Sequence, residues 1–363
     1  MKTIRFRLLF LWLMLPLGMF AQDLRFSQFD LNPIYYNPAF TGDARDMRVG
    51  LNYRNHWPNV PGRGFPGPFS SYNLYADKQL NNALVGGVGL FMYQDFKGEG
   101  YLRHTQVGGS YSWRMPTGTP DFNMYFGTKV SYNQLSVDWS RFVFSDQVSA
   151  DSGYLSTPSA FIPQNSGNKS YVDIDAGMVM RFNLFKKWSN ELSFSTAHLS
   201  TPNVSLNGIP TTLPLKYVAM YNTSFPLRKE KLYLNPKFML ERQRPFTTFT
   251  TGFNIYVTKK YNFQNNFYYS KPLYLGFYFQ NSNFNQLRNT SSFIVLVGHT
   301  GSFGNNNSRY QMGLSYDFSI AGLSLSTYGA LELSATIVLN TKNQGKRWRK
   351  CHNFQGNPLG PIN

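Results

Sequence analysis

Residues 309–319 read RYQMGLSYDFS, and the spacing of their apolar side chains decides the fold. In an extended chain Tyr310, Met312, Leu314, Tyr316 and Phe318 share one face, and Gln311, Gly313, Ser315, Asp317 and Ser319 the other. A strand crossing an outer membrane needs that division over about 9 to 11 residues, because one face meets lipid and the other a lumen. The pattern recurs. Residues 171–182, YVDIDAGMVMRF, set Val172, Ile174, Ala176, Met178, Met180 and Phe182 against Asp173, Asp175, Gly177 and Arg181. Residues 107–115 and 331–340 alternate in the same way. A soluble sandwich also alternates, but many long runs with no helical stretch between them favour the barrel.

Strands are predicted near 46–54, 69–77, 83–93, 99–114, 121–136, 170–183, 188–199, 215–225, 231–241, 246–257, 272–281, 291–299, 308–319 and 328–340, with 261–270 left open. This is an all-β transmembrane antiparallel outer-membrane barrel of about 14 strands. The predicted gaps at 55–68, 137–169 and 200–214 are long, and those at 78–82, 115–120, 184–187 and 226–230 short. Outer-membrane barrels have short periplasmic turns and longer external loops, so both termini are expected in the periplasm.

Composition agrees. Aromatics make up 17% of the 363 residues and charged residues only 15%, while mean hydropathy is -0.34. Soluble globules carry about a quarter charged residues and disordered chains few aromatics. Residues 1–21 have the basic start, apolar centre and small-residue exit of a signal peptide, with cleavage expected after Ala21. No later apolar run is long enough for a spanning helix. The formal net charge is +17, and losing Lys2, Arg5 and Arg7 with the leader lowers it by three to +14. An exported chain of this charge is expected to meet outer-membrane lipid head groups or an acidic partner, not nucleic acid. The single cysteine, Cys351, allows no internal disulfide.

Basic pairs fall at the predicted periplasmic turns: Lys186 and Lys187, Arg228 and Lys229, Lys259 and Lys260. The 341–363 tail adds Lys346, Arg347, Arg349 and Lys350. These residues read as a rim on lipid phosphates or as contacts for a periplasmic partner. Catalytic patterns are missing. None of His56, His104, His198, His299 and His352 sits in a hydrolase or metalloprotease frame. Asp173 and Asp175 share a strand face with Arg181, which suggests lumenal charge balance. The glycine-rich pieces at 62–68 and 86–89 lack the lysine of a P-loop. No enzyme, metal or cofactor is expected.

Residues 26–42, FSQFDLNPIYYNPAFTG, fit neither a strand nor a helix, because Asn32-Pro33 and Asn37-Pro38 interrupt both. With LNYRNHWPNVPG (51–62) and FSSYNLYAD (69–77) behind it, this opening resembles the start of the PorP/SprF family of Bacteroidetes outer-membrane proteins. GLSYDFSIAGLS (313–324), YGALELSATIVL (328–339) and KRWRKCHNF (346–354) are similar to that family's closing strands and tail. Leu331 stands where the family usually has His, and the chain continues past Phe354. The resemblance implies an accessory part of the type IX secretion system and gliding machinery that delivers or holds secreted proteins, often large adhesins, at the surface. Secretion-system subunits, a secreted cargo and a periplasmic peptidoglycan-associated protein are the partners it implies; a porin or small-solute channel is the alternative. In the segment 22–45, Asn32, Pro33, Tyr35, Tyr36, Asn37, Pro38 and Phe40 are expected to form a plug at the periplasmic end of the barrel 46–340, with the three aromatics packing on its wall.

Overall fold

The computed structural model describes residues 23–340 except 24, 45, 59, 61–68, 81–85, 99–101, 118, 120, 150, 152, 156, 163–167, 185–187, 207–208, 228–231, 264–265, 285–287, 304–307 and 321–328; for 258–272 and 283–290 only the backbone is described. The described residues form sixteen strands: β1 (Met47–His56), β2 (Phe69–Leu80), β3 (Gly86–Lys97), β4 (Leu102–Met115), β5 (Phe122–Ser136), β6 (Val148–Ser149), β7 (Gly153–Tyr154), β8 (Asn168–Leu184), β9 (Trp188–Ala197), β10 (Lys216–Pro226), β11 (Leu232–Gln243), β12 (Phe246–Phe263), β13 (Asn266–Phe284), β14 (Arg288–Phe303), β15 (Ser308–Ser319) and β16 (Ala330–Leu339). Fourteen of them close an antiparallel barrel in which each strand pairs with its sequence neighbour and β1 pairs with β16. β6 and β7 make a small ribbon in the long β5–β8 connection. Closure leaves no unpaired edge, which a bilayer without water demands.

Of the stretch at 261–270, undecided from sequence, residues 261–263 end β12 and 266–270 begin β13, paired with each other beyond a register shift between Val257 and Lys259. Burial inverts the soluble rule. Along β15, Met312, Leu314 and Phe318 are exposed while Gln311, Ser315 and Asp317 are buried. The outer face is apolar because its solvent is hydrocarbon; the inner face is polar because it receives another segment of chain.

One end of the barrel carries Met47 paired with Leu339, and the other His56 paired with Ala330. They are called here the turn end and the loop end. Connection lengths alternate less regularly than expected: at the loop end 57–68, 137–167, 198–215 and 320–329 are long, but 98–101, 244–245 and 285–287 are short.

Residues 23–44 fill the lumen. Pro33–Tyr36 form one helical turn and Pro38–Phe40 a 3₁₀ turn, each with proline in its first turn, where the missing N–H costs nothing. Asn37 separates them in an extended conformation, and its side chain caps the second turn by accepting from the Ala39 N–H at 2.9 Å. Phe26, Phe29, Tyr35 and Tyr36 stack edge to face, with centroids 5.3 Å apart for Phe26–Tyr35 and 5.1 Å for Tyr35–Tyr36. The Tyr36 hydroxyl donates to the Phe26 carbonyl and accepts from its N–H, both at 2.8 Å, which folds the segment back on itself.

Candidate functional site in the lumen

The plug meets the wall through two kinds of contact: Phe26, Phe29 and Tyr36 pack in an apolar cluster with Val179, Val218, Met220 and Ile294, and around it the inner faces of the strands present Asn, Ser, Thr and ion pairs. At the turn end it lies directly on backbone. Gly87, Gly127 and Gly177 sit under Thr41 and Gly42, Pro38 and Ala39, and Asn37 respectively. A Cβ on Gly127 would stand 2.3 Å from the Ala39 nitrogen. The bare wall lets the Asn37 amide reach the carbonyls of Met178 and Phe194, paired residues of β8 and β9, at 3.1 and 3.0 Å. Asn37 is fully buried, and both ends of its amide are engaged. Asn37→Ala is expected to free two strand carbonyls and a turn N–H, costing about 2 kcal/mol. Proteolysis of the plug in the folded barrel, at a rate raised roughly thirtyfold by that loss, is the measurement that checks it.

The other predicted residues also converge here. Asn32 is fully buried and accepts from Asn73 at 2.6 Å, beside Leu31, whose carbonyl takes bonds from Asn52 and Tyr75. Pro33 is buried at the start of its turn. Tyr35 packs against Tyr93 of β3, with centroids 5.5 Å apart, and Lys216 lies 5.4 Å over its ring. Phe40 lies under the Arg181 guanidinium. Tyr36 binds within the plug and through its carbonyl, which accepts from Ser195 at 2.6 Å. Lys346, Arg347, Arg349 and Lys350, like the side chains of the basic turn pairs, lie outside the described residues.

The densest contacts involve residues that the motif reading passed over. Ser27 donates to Asp317 at 2.6 Å, and the N–H groups of Ser27 and Gln28 donate to Glu332 at 2.6 and 3.0 Å. Arg54 bonds Asp317 at 2.7 Å, Glu332 at 3.0 Å and the Ser27 hydroxyl at 2.5 Å. The three stretches FSQF, LNYR and YD/LE, far apart in sequence, thus form one buried ionic node. The available signal was the two acids, Asp317 and Glu332, on the lumenal faces of their strands, because a buried carboxylate demands a cation or several donors.

Each plug acid has a wall cation. Asp43 pairs with Arg181, which also bonds Glu191 at 2.7 Å, and Asp30 pairs with Lys237. Asp23 lies 2.9 Å from His198 and 3.7 Å from Lys216. Asp175 is held by Lys129 at 2.7 Å and Asp173 by His198 at 2.5 Å. The lumenal placement expected for Asp173 and Asp175 is found, but Arg181 answers to the plug and not to them.

Asp173, Asp175 and His198 come within metal-binding reach of one another. The imidazole is engaged on both nitrogens by carboxylates. His198 stands just beyond β9. Burial opposes its charge, but Asp23 and Asp173 outweigh that and push its pKa up to about 10. With both ring nitrogens facing carboxylates, the cluster reads as an ion-pair network. The raised pKa stabilises the docked plug fully below the ordinary value of 6.5, and the contribution disappears as pH rises through about 10. Tryptic cleavage after Arg25 is therefore expected to accelerate between pH 7 and 10, and His198→Gln to flatten that dependence.

A cavity of about 30 Å³ remains beside this cluster, lined by Tyr35, Tyr93, His104, Lys129 and Lys216 among others. That is room for a water molecule or two.

The family description "Type IX secretion system membrane protein PorP/SprF" matches residues 18–337. The chain belongs to that family. It is an outer-membrane β-barrel, and PorP/SprF membership implies association with secretion-system components. No significant relative is found among curated proteins. Among solved structures the barrel is similar to the CymD monoaromatic hydrocarbon channel, at 13% identity and TM-score 0.48, covering 89% of this chain and 96% of that one. It is also similar to a Pseudomonas aeruginosa FadL homologue, at 10% identity and TM-score 0.42, covering 84% and 92%. A third is Omp33 of Acinetobacter baumannii, at 7% and 0.39, covering 81% and 98%.

Proposed function

We propose that this PorP/SprF barrel is a non-enzymatic, plugged scaffold of the type IX secretion and gliding machinery that delivers or anchors particular secreted surface proteins, adhesins among them. In this reading the loop end faces outward. The turns and the basic tail lie in the periplasm, where Lys346, Arg347, Arg349 and Lys350 meet lipid phosphates or a peptidoglycan-associated protein. The observation that carries the reading is the occupied lumen: Asp23, Asp30 and Asp43 of the segment pair with wall cations between the loop end and the turn end, and a cavity of about 30 Å³ lies beside His198. A barrel so filled has its outer loops and its periplasmic rim to work with, rather than a pore.

The test is affinity purification of the tagged chain from native outer membranes in mild detergent, followed by mass spectrometry. Recovery of secretion-system subunits or of a large secreted protein is the expected result. A barrel recovered alone that conducts ions in planar bilayers would replace this reading with the channel.

A further inference from the structure

The plug was expected at one end of the barrel, yet its contacts reach from the loop end at Asp23 to the turn end at Gly42, with Tyr35 and Tyr36 folding back beside Asp23 on the way. Asp23 donates its N–H to Gln243, the last residue of β11 at the loop end, and its carboxylate meets His198 and Lys216, just beyond β9 and at the start of β10. Arg25 reaches Ser282 and Glu241, close to the same rim. Ser27 and Gln28 engage Glu332, the third residue of β16 from the loop end. Asp30 meets Lys237 half-way down β11. Asn37 then reaches Met178 and Phe194, and Gly42 donates to Asp77 at 2.6 Å, near the turn end of β2. Three residues past Ala44 the chain enters β1 at that same end.

From these contacts we infer that the plug begins at the cell surface: Asp23 stands at the loop end and Leu339 at the turn end, so that the two ends of the described chain lie on opposite sides of the outer membrane. The inference rests on the outward orientation of the loops proposed above and reverses the expectation that both ends share the periplasm. Its physical ground is that the direction is fixed by specific ion pairs and not by apolar packing alone. Reversing the segment would bring Asp43 to the His198 cluster and Asp23 to Arg181 while stripping Glu332 of its two backbone donors.

The functional consequence is an interaction surface. A secreted protein seated on the loops meets a segment whose far side is bolted to the wall through Arg181–Asp43, the Gly42 N–H on Asp77, Arg48 on the Phe40 carbonyl and the Asn37 amide. Load on that end passes along the lumen to the periplasmic rim without requiring the wall to open.

The experiment uses the full-length protein in intact cells, with Cys351→Ser as background and Gly-Cys-Gly inserted between Gln22 and Asp23. Asp151→Cys, an exposed position of the β5–β8 loop, reports barrel orientation, and the native Cys351 reports the tail. A membrane-impermeant maleimide is applied before and after permeabilisation of the outer membrane. The expected result is labelling of the insertion and of Asp151→Cys on intact cells, and of Cys351 only after permeabilisation. If Asp151→Cys labels on intact cells but the insertion does not, the orientation stands and the threading is overturned. If Asp151→Cys labels only after permeabilisation, the orientation itself fails and takes the inference with it. A FLAG epitope at the same junction, read by antibody on whole cells and checked for heat-modifiable migration, guards against an insertion that blocks folding. A folded barrel with a silent epitope overturns the inference.

Discussion

Arg54→Met is expected to release the plug from a barrel that stays closed. The guanidinium holds Asp317 and Glu332 at 2.7 and 3.0 Å, and Glu332 has no solvent exposure. Removing one partner of a buried ion network costs about 3 to 5 kcal/mol, because the remaining charges lose their compensation without regaining water. Here Glu332 would be stranded against the backbone N–H groups of Ser27 and Gln28, and Asp317 against the Ser27 hydroxyl. The wall keeps its own ladder, since β1 pairs with β2 and β16 through main-chain bonds that Arg54 does not make. Limited proteolysis should then cut within residues 23–44, which are expected to resist protease in the wild type, while heat-modifiable migration still reports a folded barrel. The triple change Arg54→Met, Asp317→Asn, Glu332→Gln should restore most of that resistance, because the cost lies in unpaired charge. Resistance unchanged in Arg54→Met alone would show that the plug is held elsewhere.

The second large effect is expected at Gly127. Its missing side chain leaves room for the backbone of Pro38 and Ala39, and the new Cβ of Gly127→Val would lie 2.3 Å from a main-chain nitrogen that no rotamer change can move. Overpacking usually costs about 1 to 3 kcal/mol when side chains can give way, and more is expected against backbone. Gly177→Val should act likewise, because it invades the seat of Asn37. Both sites lie on the lumenal side of wall strands that remain fully paired with each other. The readout is planar-bilayer conductance: the wild-type barrel is expected to be electrically quiet, and Gly127→Val to open steps of the size a vacated 14-strand lumen allows. Gly109, whose added Cβ meets nothing closer than 3.7 Å, is the control position. Conductance equal in Gly127→Val and Gly109→Val would mean that the plug does not seal the barrel.

The two predictions probe different kinds of legibility. Arg54, Asp317 and Glu332 stand in stretches that resemble the family's motifs, so their importance could be suspected; their meeting could not, because Arg54 lies 263 and 278 positions from its partners. Gly127 and Gly177 carried no signal at all. They sit in strands whose alternation already explains every residue, and a glycine on a lumenal face is unremarkable until something is known to lie against it. Ser27 and Gln28 were overshadowed by the prolines behind them, although their N–H groups both donate to the buried Glu332 carboxylate.

Period-two alternation, the aromatic and charge-poor composition, and the two Asn-Pro steps by themselves determined that this protein is an outer-membrane barrel carrying a rigid non-strand segment. They could do so because a bilayer acts on each strand separately, demanding one apolar and one polar face along a single short run of sequence. Tertiary structure alone decided that this segment fills the lumen from one end to the other, which wall residues receive it, and that Asp23 lies opposite the entry to β1. Those facts depend on closure. Only when β1 meets β16 do the polar faces of fourteen strands surround one axis, and residues that share no local pattern become neighbours.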